Sequence, residues 1–255
     1  MTEGARPPSR DVVTLERLPG HVALVRLNRP GARNAVDGAV ARALDAAVAE
    51  TEGDPEIRVT VLAGSAGGVF CAGADLKEIA AGRAAELWTP RGGFAGFVFA
   101  ERAKPWIAAV GGKALAGGCE LVLACELVVA AEDAAFGLPE VSRGLIAAAG
   151  GLFRLPRALP RALALELILT ADTLDARRAY EHGLVNHLVP AGRVARNAPL
   201  AVRESLAVAR RAHELTEVEL RALTGAARER VVASEDFREG PRAFVEKRAP
   251  RWSGR

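Results

Sequence analysis

The sequence predicts an α/β fold followed by a helical region at the C-terminal end. Apolar runs typical of strands, such as Val22 to Leu27, Ile57 to Ala63 and Trp106 to Val110, recur between helical patterns in most of the chain. Turns containing glycine separate several of these runs from the helices that follow. From Leu200 to Val232 the pattern is helical only. Strands that alternate with helices indicate an α/β class, and the final helices indicate an appendage.

The length and composition fit one large globular domain with that appendage. The chain has 255 residues, of which 50% are hydrophobic and 25% charged. We expect residues 1–10 to be a disordered tail, residues 11–193 to form the core and residues 194–255 to form the helical region.

Several classes of protein are disfavoured by composition. A net charge of +3 and an aromatic content of 5% argue against a nucleic-acid partner. Three cysteines leave one unpaired in any disulfide scheme, and the four histidines lack HxxxH or HExxH spacing, so no metal site is predicted. No apolar run is long enough to span a membrane. The sequence therefore predicts a soluble cytoplasmic protein with no membrane partner.

The first half of the chain gives these expectations for individual elements. Asn34 is predicted to cap a helix that ends at Gly53-Asp-Pro55, because apolar residues from Val36 to Val48 recur at helical spacing. A short extended piece at Val69–Cys71 precedes a helix that runs to about Ala81. Residues 82–95, with three glycines, are expected to be mobile and to close over a ligand, and a helix is expected around Phe97 to Ala103.

The second half continues with strands and then helices. The predicted elements are a strand from Leu127 to Ala131, an extended piece from Ala135 to Glu140, helices opening at Gly150 and Pro160, a helix capped by Asp172 or Thr173, a strand from Leu184 to Val189, and two helices between Leu200 and Val232.

The central feature is the stretch from Lys113 to Glu120. It reads as a glycine turn after a buried strand, with a helix that starts near Gly118. Backbone amides at Gly117 and Gly118 would lie at the positive end of the helix dipole, where they can hold an oxygen that gains negative charge. Glu120 is then either a favourable partner for that dipole or a catalytic acid or base.

A second segment has the same design. Phe70 to Asp75, like Ala114 to Glu120, combines an apolar extended run, a turn of small residues and a helix. If both turns face one cleft, the amides of Ala74 and Gly117 can converge on one oxyanion; losing one such donor costs roughly 2.7–4 kcal/mol. The alternative for each turn is an ordinary strand-to-helix connection.

Several short motifs follow one another along the chain. They are Leu27-Asn-Arg-Pro30 with Asn34-Ala35, Phe70-Cys-Ala-Gly-Ala-Asp-Leu76, Ala116-Gly-Gly-Cys-Glu120, Phe136-Gly-Leu-Pro-Glu140, Leu184-Val-Asn-His-Leu-Val-Pro190, Asn197-Ala-Pro-Leu200 and Phe244-Val-Glu-Lys247. In this order they resemble the enoyl-CoA hydratase branch of the crotonase family. The resemblance covers about residues 12 to 190 and resumes near the C-terminal end.

The resemblance implies a fold and an assembly. It implies a crotonase-like spiral of ββα units, with residues 194–255 as a helical region for trimerisation, so that the chain forms a homotrimer or a dimer of trimers. It also implies an acyl-CoA thioester as substrate. CoA is then part of the substrate, and no separate cofactor is expected.

The resemblance also implies site residues. The thioester carbonyl oxygen would lie between the amides of Ala74 and Gly117, while Glu120 and Glu140 would activate a water for attack at the β-carbon and supply a proton to the α-carbon. The positions expected to bind CoA or substrate are Arg29, Arg33, Ala72, Gly73, Asp75, Leu76, Lys77, Gly118, Phe244 and Lys247.

Other interpretations of these residues stay open. Asp75 is predicted mainly to cap the following helix, whereas Lys77, Arg29 and Arg33 either contact CoA or are simply solvated. Cys71 and Cys119 are expected to be small buried thiols.

The leading hypothesis for function is a 2-enoyl-CoA hydratase. The alternatives are a double-bond isomerase, a dehydratase of a special acyl-CoA, or a non-catalytic acyl-CoA-binding subunit. Many hydratases have a Pro-Gly pair where this chain has Ala147-Ala148, so the resemblance leaves the acyl preference open.

Overall fold

The computed structural model describes residues 11–65, 68–188, 211, 215–246, 248 and 250–253. The predicted tail at residues 1–10 and the first of the two helices predicted after Leu200 therefore lie outside the described residues. Within these residues the strands are β1 (Val13–Leu18), β2 (Val22–Leu27), β3 (Val59–Gly64), β4 (Val69–Cys71), β5 (Trp88–Thr89), β6 (Gly93–Phe94), β7 (Trp106–Val110), β8 (Lys113–Leu115), β9 (Leu127–Ala130), β10 (Ala135–Gly137) and β11 (Thr173–Asp175).

Helices alternate with these strands and then continue alone, as the sequence predicts. In the described part of the chain, three short 3-10 helices cover Pro30–Ala32, Ala84–Leu87 and Pro139–Arg143. The α-helices are α1 (Gly38–Gly53), α2 (Leu76–Ala80), α3 (Gly117–Leu123), α4 (Gly151–Ala158), α5 (Arg161–Thr170), α6 (Ala176–Glu181), α7 (Glu217–Ala233) and α8 (Glu235–Val245).

Two sheets are built from a repeated connection. The larger has the order β1-β2-β3-β7-β9 and the smaller the order β11-β10-β8-β4. Each of the consecutive pairs β3–β4, β7–β8 and β9–β10 places its first strand in the larger sheet and its second in the smaller. These strands are parallel to their neighbours from the other pairs, whereas β1 and β11 pair antiparallel at the edges. This winding confirms the predicted α/β class and spiral of strand pairs.

Large aromatic side chains fill the core. Phe70, Phe97, Trp106 and Phe136 are each at most 1% exposed. The rings of Phe97 and Trp106 meet edge to face with their centroids 4.9 Å apart. This burial removes large apolar surfaces from water and is the main driving force for packing the sheets and helices together.

The start of α1 corrects one prediction. Its N-cap is Asp37, whose side chain accepts a hydrogen bond from the Val40 amide at 2.8 Å. Asn34 is not the cap. It has a left-handed φ of 55°, and its Nδ2 donates to the carbonyls of Val69 at 3.0 Å and Phe70 at 3.1 Å. Asn34 therefore joins the segment before α1 to strand β4 instead of starting a helix.

Four further expectations differ from the structure. The strand predicted from Leu184 to Val189 is absent from residues 184–188, where His187 forms a single bridge to Val129. The helix predicted around Phe97 to Ala103 is absent, because residues 95–99 form turns that bury Phe97 in the core. The segment expected to be mobile contains a 3-10 helix and the β5–β6 hairpin, with Leu87 and Phe94 buried. The cap of α6 is Asp175 rather than Asp172 or Thr173, because β11 pairs with β10 before the helix begins.

Helices α7 and α8 lie at the C-terminal end of the described chain. A capping box between Thr216 and Glu219 starts α7. The segment after α8 returns to the first half of the chain, where Arg58 Nη2 donates to the Trp252 carbonyl at 2.9 Å. Among the described helices, none is both long and apolar enough to cross a membrane.

Candidate active site

A cavity of about 820 Å³ opens where α2 and α3 begin. Its wall draws on five parts of the chain: the segment after β2, the turn into α2, the hairpin segment, the turn into α3, and the segment between β10 and α4. Most residues that the sequence singles out are in this wall, namely Arg29, Arg33, Ala72, Ala74, Asp75, Leu76, Lys77, Gly117, Glu120 and Glu140.

The two glycine-containing turns touch each other at this cavity. Gly73 has a φ of +89°, and a Cβ added there would lie 2.8 Å from the Gly117 nitrogen. Ala116, with a φ of 52°, turns the chain into α3. Neither the Ala74 amide nor the Gly117 amide donates a hydrogen bond to another described residue. Two neighbouring residues of the wall thus have amides available for a ligand oxygen.

Glu120 lies in the first turn of α3 and is only 3% exposed. Its Oε1 accepts a hydrogen bond of 2.9 Å from the Gly151 amide at the start of α4. Burial raises the pKa of Glu120 to about 7, and the nearby charge of Glu140 acts in the same direction. Near neutral pH this carboxyl group can therefore exist in both protonation states.

Glu140 lies in the 3-10 helix Pro139–Arg143 and is 8% exposed. Both of its carboxylate oxygens are buried and accept no hydrogen bond from the described residues. Burial raises the pKa of this carboxyl group as well. Buried oxygens without a partner are costly, so a water or a substrate group in the cavity is the natural partner for them.

The cationic residues of the wall differ in their partners. Arg29 forms ion pairs with Asp37 at 3.1 Å and Asp75 at 3.3 Å, so its guanidinium holds the start of α1 close to that of α2. Arg33 and Lys77 make no ion pair with any described residue. Both are therefore available for an anionic ligand.

The other predicted binding positions fall into three groups. Asp75 caps α2 by accepting from the Lys77 amide at 3.1 Å, as expected. Gly73 and Gly118 lie behind the wall rather than in it, and a Cβ at Gly118 would overlap the Cys71 carbonyl. The side chain of Phe244 and the whole of Lys247 lie outside the described residues.

The thiols behave as buried apolar groups. Cys71 and Cys119 are buried, and desolvation raises the pKa of Cys71 to about 12. A thiol with so high a pKa is a poor nucleophile at neutral pH. Within the part of the chain that the structure describes, no group of three potential ligand side chains could hold a metal ion.

Some residues of the cavity are not among those predicted. Leu87, Trp88 and Phe94 line it together with Leu145 and Ile146, and the rings of Trp88 and Phe94 meet edge to face at 5.8 Å. The sequence offers only a weak signal for them, since they lie in a glycine-rich segment and in a loop. The Gly151 donor was equally unforeseen, although the Gly150-Gly151 pair is visible in the sequence.

Comparisons with known proteins agree on one family. A family model described as enoyl-CoA hydratase/isomerase matches residues 17–255. The structure is similar to an enoyl-CoA hydratase from Mycobacterium tuberculosis H37Rv, with 42% identity and a TM-score of 0.91 over 96% of this chain and 100% of that one. It is also similar to a carnitinyl-CoA hydratase from Mycobacterium avium, with 45% identity and a TM-score of 0.71 over 97% of this chain and 100% of that one.

A curated relative adds a further name. The chain is 36% identical over 252 residues to a carnitinyl-CoA dehydratase from Proteus mirabilis (strain HI4320), which covers 92% of this chain and 96% of the relative. The relatives are thus named as hydratases or dehydratases of CoA esters, and they differ in the acyl group.

Proposed function

The chain belongs to the enoyl-CoA hydratase/isomerase family, also called the crotonase family, and we propose that it is a 2-enoyl-CoA hydratase. The reaction adds water across the 2,3 double bond of an enoyl-CoA thioester, and its reverse removes water from a 3-hydroxyacyl-CoA. One observation carries the proposal. Two buried carboxyl groups with raised pKa values, Glu120 and Glu140, line one cavity. The same cavity is lined by Ala74 and Gly117, whose amides donate no hydrogen bond to another described residue.

The proposed mechanism uses these four groups together. The thioester carbonyl oxygen accepts hydrogen bonds from the amides of Ala74 and Gly117. One carboxylate removes a proton from water, the resulting hydroxyl adds to the β-carbon, and the carbonyl oxygen gains the enolate charge. The other carboxyl group gives its proton to the α-carbon, so the pair ends the cycle with the same number of protons.

The proposed binding of CoA rests on the remaining cations. Arg33 and Lys77 are suited to the phosphates because they line the cavity without an ion pair to any described residue. Arg29 contributes by holding Asp75, and with it the turn that carries Ala74. CoA enters as part of the substrate, so the mechanism calls for no metal and no redox cofactor.

A homotrimer or homohexamer in the cytoplasm remains part of the proposal. Large apolar residues that stay exposed on this single chain support self-association; Phe99 is 43% exposed and Phe153 is 44% exposed.

Dehydration of a carnitinyl-CoA is a second candidate, supported by the names of two relatives and by one feature of the cavity. The Trp88–Phe94 pair offers ring faces that can attract a quaternary ammonium group. Arg143 opposes this reading, because an exposed guanidinium in the same wall repels a cation. An acyl group without positive charge is therefore the better match.

The decisive experiment follows the absorbance of the conjugated thioester with a panel of trans-2-enoyl-CoA esters and, in the reverse direction, with carnitinyl-CoA. Turnover by the wild type should fall by roughly 10²–10⁴-fold in Glu120→Gln and in Glu140→Gln, because each loses a proton-transfer group. Glu132→Gln changes an exposed carboxylate outside the cavity and should retain activity. Binding without turnover across the whole panel would exclude the hydratase proposal and leave an isomerase or a non-catalytic subunit.

A further inference from the structure

We propose that Arg154 is a positioning residue that ties the apolar wall of the cavity to the turn that holds Glu120. The proposal builds on the hydratase function above and adds a residue that does not itself line the cavity. Arg154 belongs to α4 and is half-buried. Its guanidinium bonds to two backbone carbonyls, those of Ala149 and Val98, which are far apart in the sequence.

One end of this connection is the Glu120 turn. Arg154 Nη1 lies 3.4 Å from the carbonyl oxygen of Ala149, which lines the cavity. Two residues later the Gly151 amide donates to Glu120. Between them Gly150 has a φ of +109°, and a Cβ there would collide with Arg154 Nη1. Position 150 therefore requires glycine as long as Arg154 stays in place, because any side chain there would be strained and would displace the guanidinium.

The other end is the segment that carries the aromatic residues of the wall. Arg154 Nη2 donates to the Val98 carbonyl at 2.7 Å. The guanidinium also lies 5.4 Å from the centre of the Phe99 ring, which stacks on Trp88 with centroids 6.3 Å apart. Trp88 lines the cavity. Arg154 thus contacts both the Phe99 ring, which packs on Trp88, and the turn from Ala149 to Gly151, which holds Glu120.

The charge of Arg154 has a second effect. It favours the ionised form of Glu120 and so limits the rise of the Glu120 pKa that burial causes. Burial lowers the pKa of Arg154 itself, but a guanidinium stays charged near neutral pH. The other groups that act on this pair are Arg102, Cys125 and Glu126 on Arg154, and Glu140 on Glu120.

Geometry and charge can be separated with two substitutions at Arg154. Arg154→Met removes both, so kcat should fall by roughly 10²-fold, the cost of a misplacement of about 1 Å in a catalytic group. The limb of the pH profile of kcat/KM that Glu120 controls should move to higher pH. Arg154→Lys keeps the charge but cannot span two carbonyls, so kcat should still fall while that limb stays near the wild-type pH.

Arg157→Met is the matched control. Arg157 lies on the same helix and is exposed, and it contacts the Phe153 ring at 5.8 Å but neither carbonyl. Its removal should leave kcat and the pH profile unchanged. A wild-type kcat together with a wild-type pH profile in Arg154→Met would overturn the proposal. If Arg154→Met does not fold, Arg154→Lys decides: a wild-type kcat there excludes the positioning role.

The Glu120 titration can also be read without turnover. Carbon-13 NMR of the glutamate side chains, assigned with Glu120→Gln, gives the Glu120 pKa in the wild type and in each variant. A higher Glu120 pKa in Arg154→Met but not in Arg157→Met supports the electrostatic effect of Arg154 on Glu120 even if no enoyl-CoA is hydrated, in which case only the proposed function fails. An unchanged Glu120 pKa rejects the electrostatic part whatever the activity.

Discussion

The Gly151 amide donates a 2.9 Å hydrogen bond to Oε1 of Glu120, so the start of α4 fixes a carboxylate that lies in the first turn of α3. Glu140 differs, since neither of its oxygens accepts a hydrogen bond from the described residues. Both carboxyl groups are buried and line the same cavity, but they differ in their hydrogen-bond partners. A backbone amide holds one of them, while the other depends on what fills the cavity.

Gly151→Ala should lower kcat with little loss of folded protein. The new Cβ would lie 2.8 Å from the Ala147 Cβ and 3.1 Å from Glu120 Oε1, so the carboxylate or the turn must shift. We expect kcat to fall by roughly 10²-fold. Steady-state kinetics and thermal melting measure the two effects.

Gly225→Ala is the control for that substitution. Gly225 lies in α7 with nothing within 4 Å of an added Cβ. Alanine there should raise the free energy of unfolding by about 1 kcal/mol through helix propensity and leave kcat unchanged. An undiminished kcat in Gly151→Ala would mean that the Gly151 contact does not position Glu120.

The buried Glu120 should make stability depend on pH. Burial raises its pKa from 4.5 to about 7, so the protonated form suits the native state and the ionised form does not. Its stabilising contribution is complete below pH 4.5 and is lost as the pH rises through about 7. Relative to Glu120→Gln, the wild type should lose on the order of 3 kcal/mol across this window.

Urea unfolding of the wild type and of Glu120→Gln, at several pH values from about 4 to about 8.5, measures this difference. This range spans the pH values over which Glu120 loses its proton in the unfolded and folded states. Glu132→Gln, which changes an exposed carboxylate, should follow the wild type at every pH. Parallel curves for the wild type and Glu120→Gln would show that the Glu120 pKa is not raised in the folded state.

The larger elements follow from local patterns, and for this reason they were predictable. Helix α1, strand β7 and the turn at Gly117 each depend on apolar spacing or glycine within a few residues. The helix predicted around Phe97 was wrong because an apolar run does not reveal its partner. Phe97 packs against Trp106 and under the Arg102 guanidinium, which lies 4.0 Å from its ring centre, and these tertiary contacts override helix propensity.

The candidate site likewise combines residues that local motifs indicate with contacts that only the folded chain creates. Glu120, Glu140 and the two turns belong to short ordered motifs, so the sequence indicated them and the structure places them at one cavity. The contacts that position them join distant parts of the chain. Gly151 reaches Glu120 over 31 residues, and Arg154 reaches Val98 over 56. No local pattern encodes such pairs.

Asn34→Ala should be strongly destabilising. Asn34 is 2% exposed and donates to the carbonyls of Val69 and Phe70. Its Oδ1 also accepts from the Arg29 amide at 3.0 Å and the Ser65 hydroxyl at 2.9 Å. Alanine leaves these buried or half-buried groups without a partner, at a cost of roughly 2–4 kcal/mol in chemical unfolding.

Ser65→Ala tests whether the loss of stability in Asn34→Ala comes from the full set of hydrogen bonds made by the Asn34 amide. It removes one hydrogen bond to Asn34 and keeps the others, so its cost should be about 1 kcal/mol. An Asn34→Ala protein as stable as Ser65→Ala would contradict the assigned role of Asn34 as the link between the segment before α1 and strand β4.

Trp88→Ala should change the acyl preference rather than the chemistry. Trp88 is 40% exposed in this chain, lines the cavity and meets the Phe94 ring at 5.8 Å. If its ring contacts the acyl chain, removal should lower kcat/KM by roughly tenfold or more for long esters, since each lost methylene contact costs about 1–3 kcal/mol, and little for crotonyl-CoA. A series of enoyl-CoA esters of increasing length measures this.

Tyr180→Ala, which removes a similarly exposed ring on α6 away from the cavity, should leave the series unchanged. An equal loss for every ester in Trp88→Ala would place Trp88 among the supports of the fold and not in the acyl site.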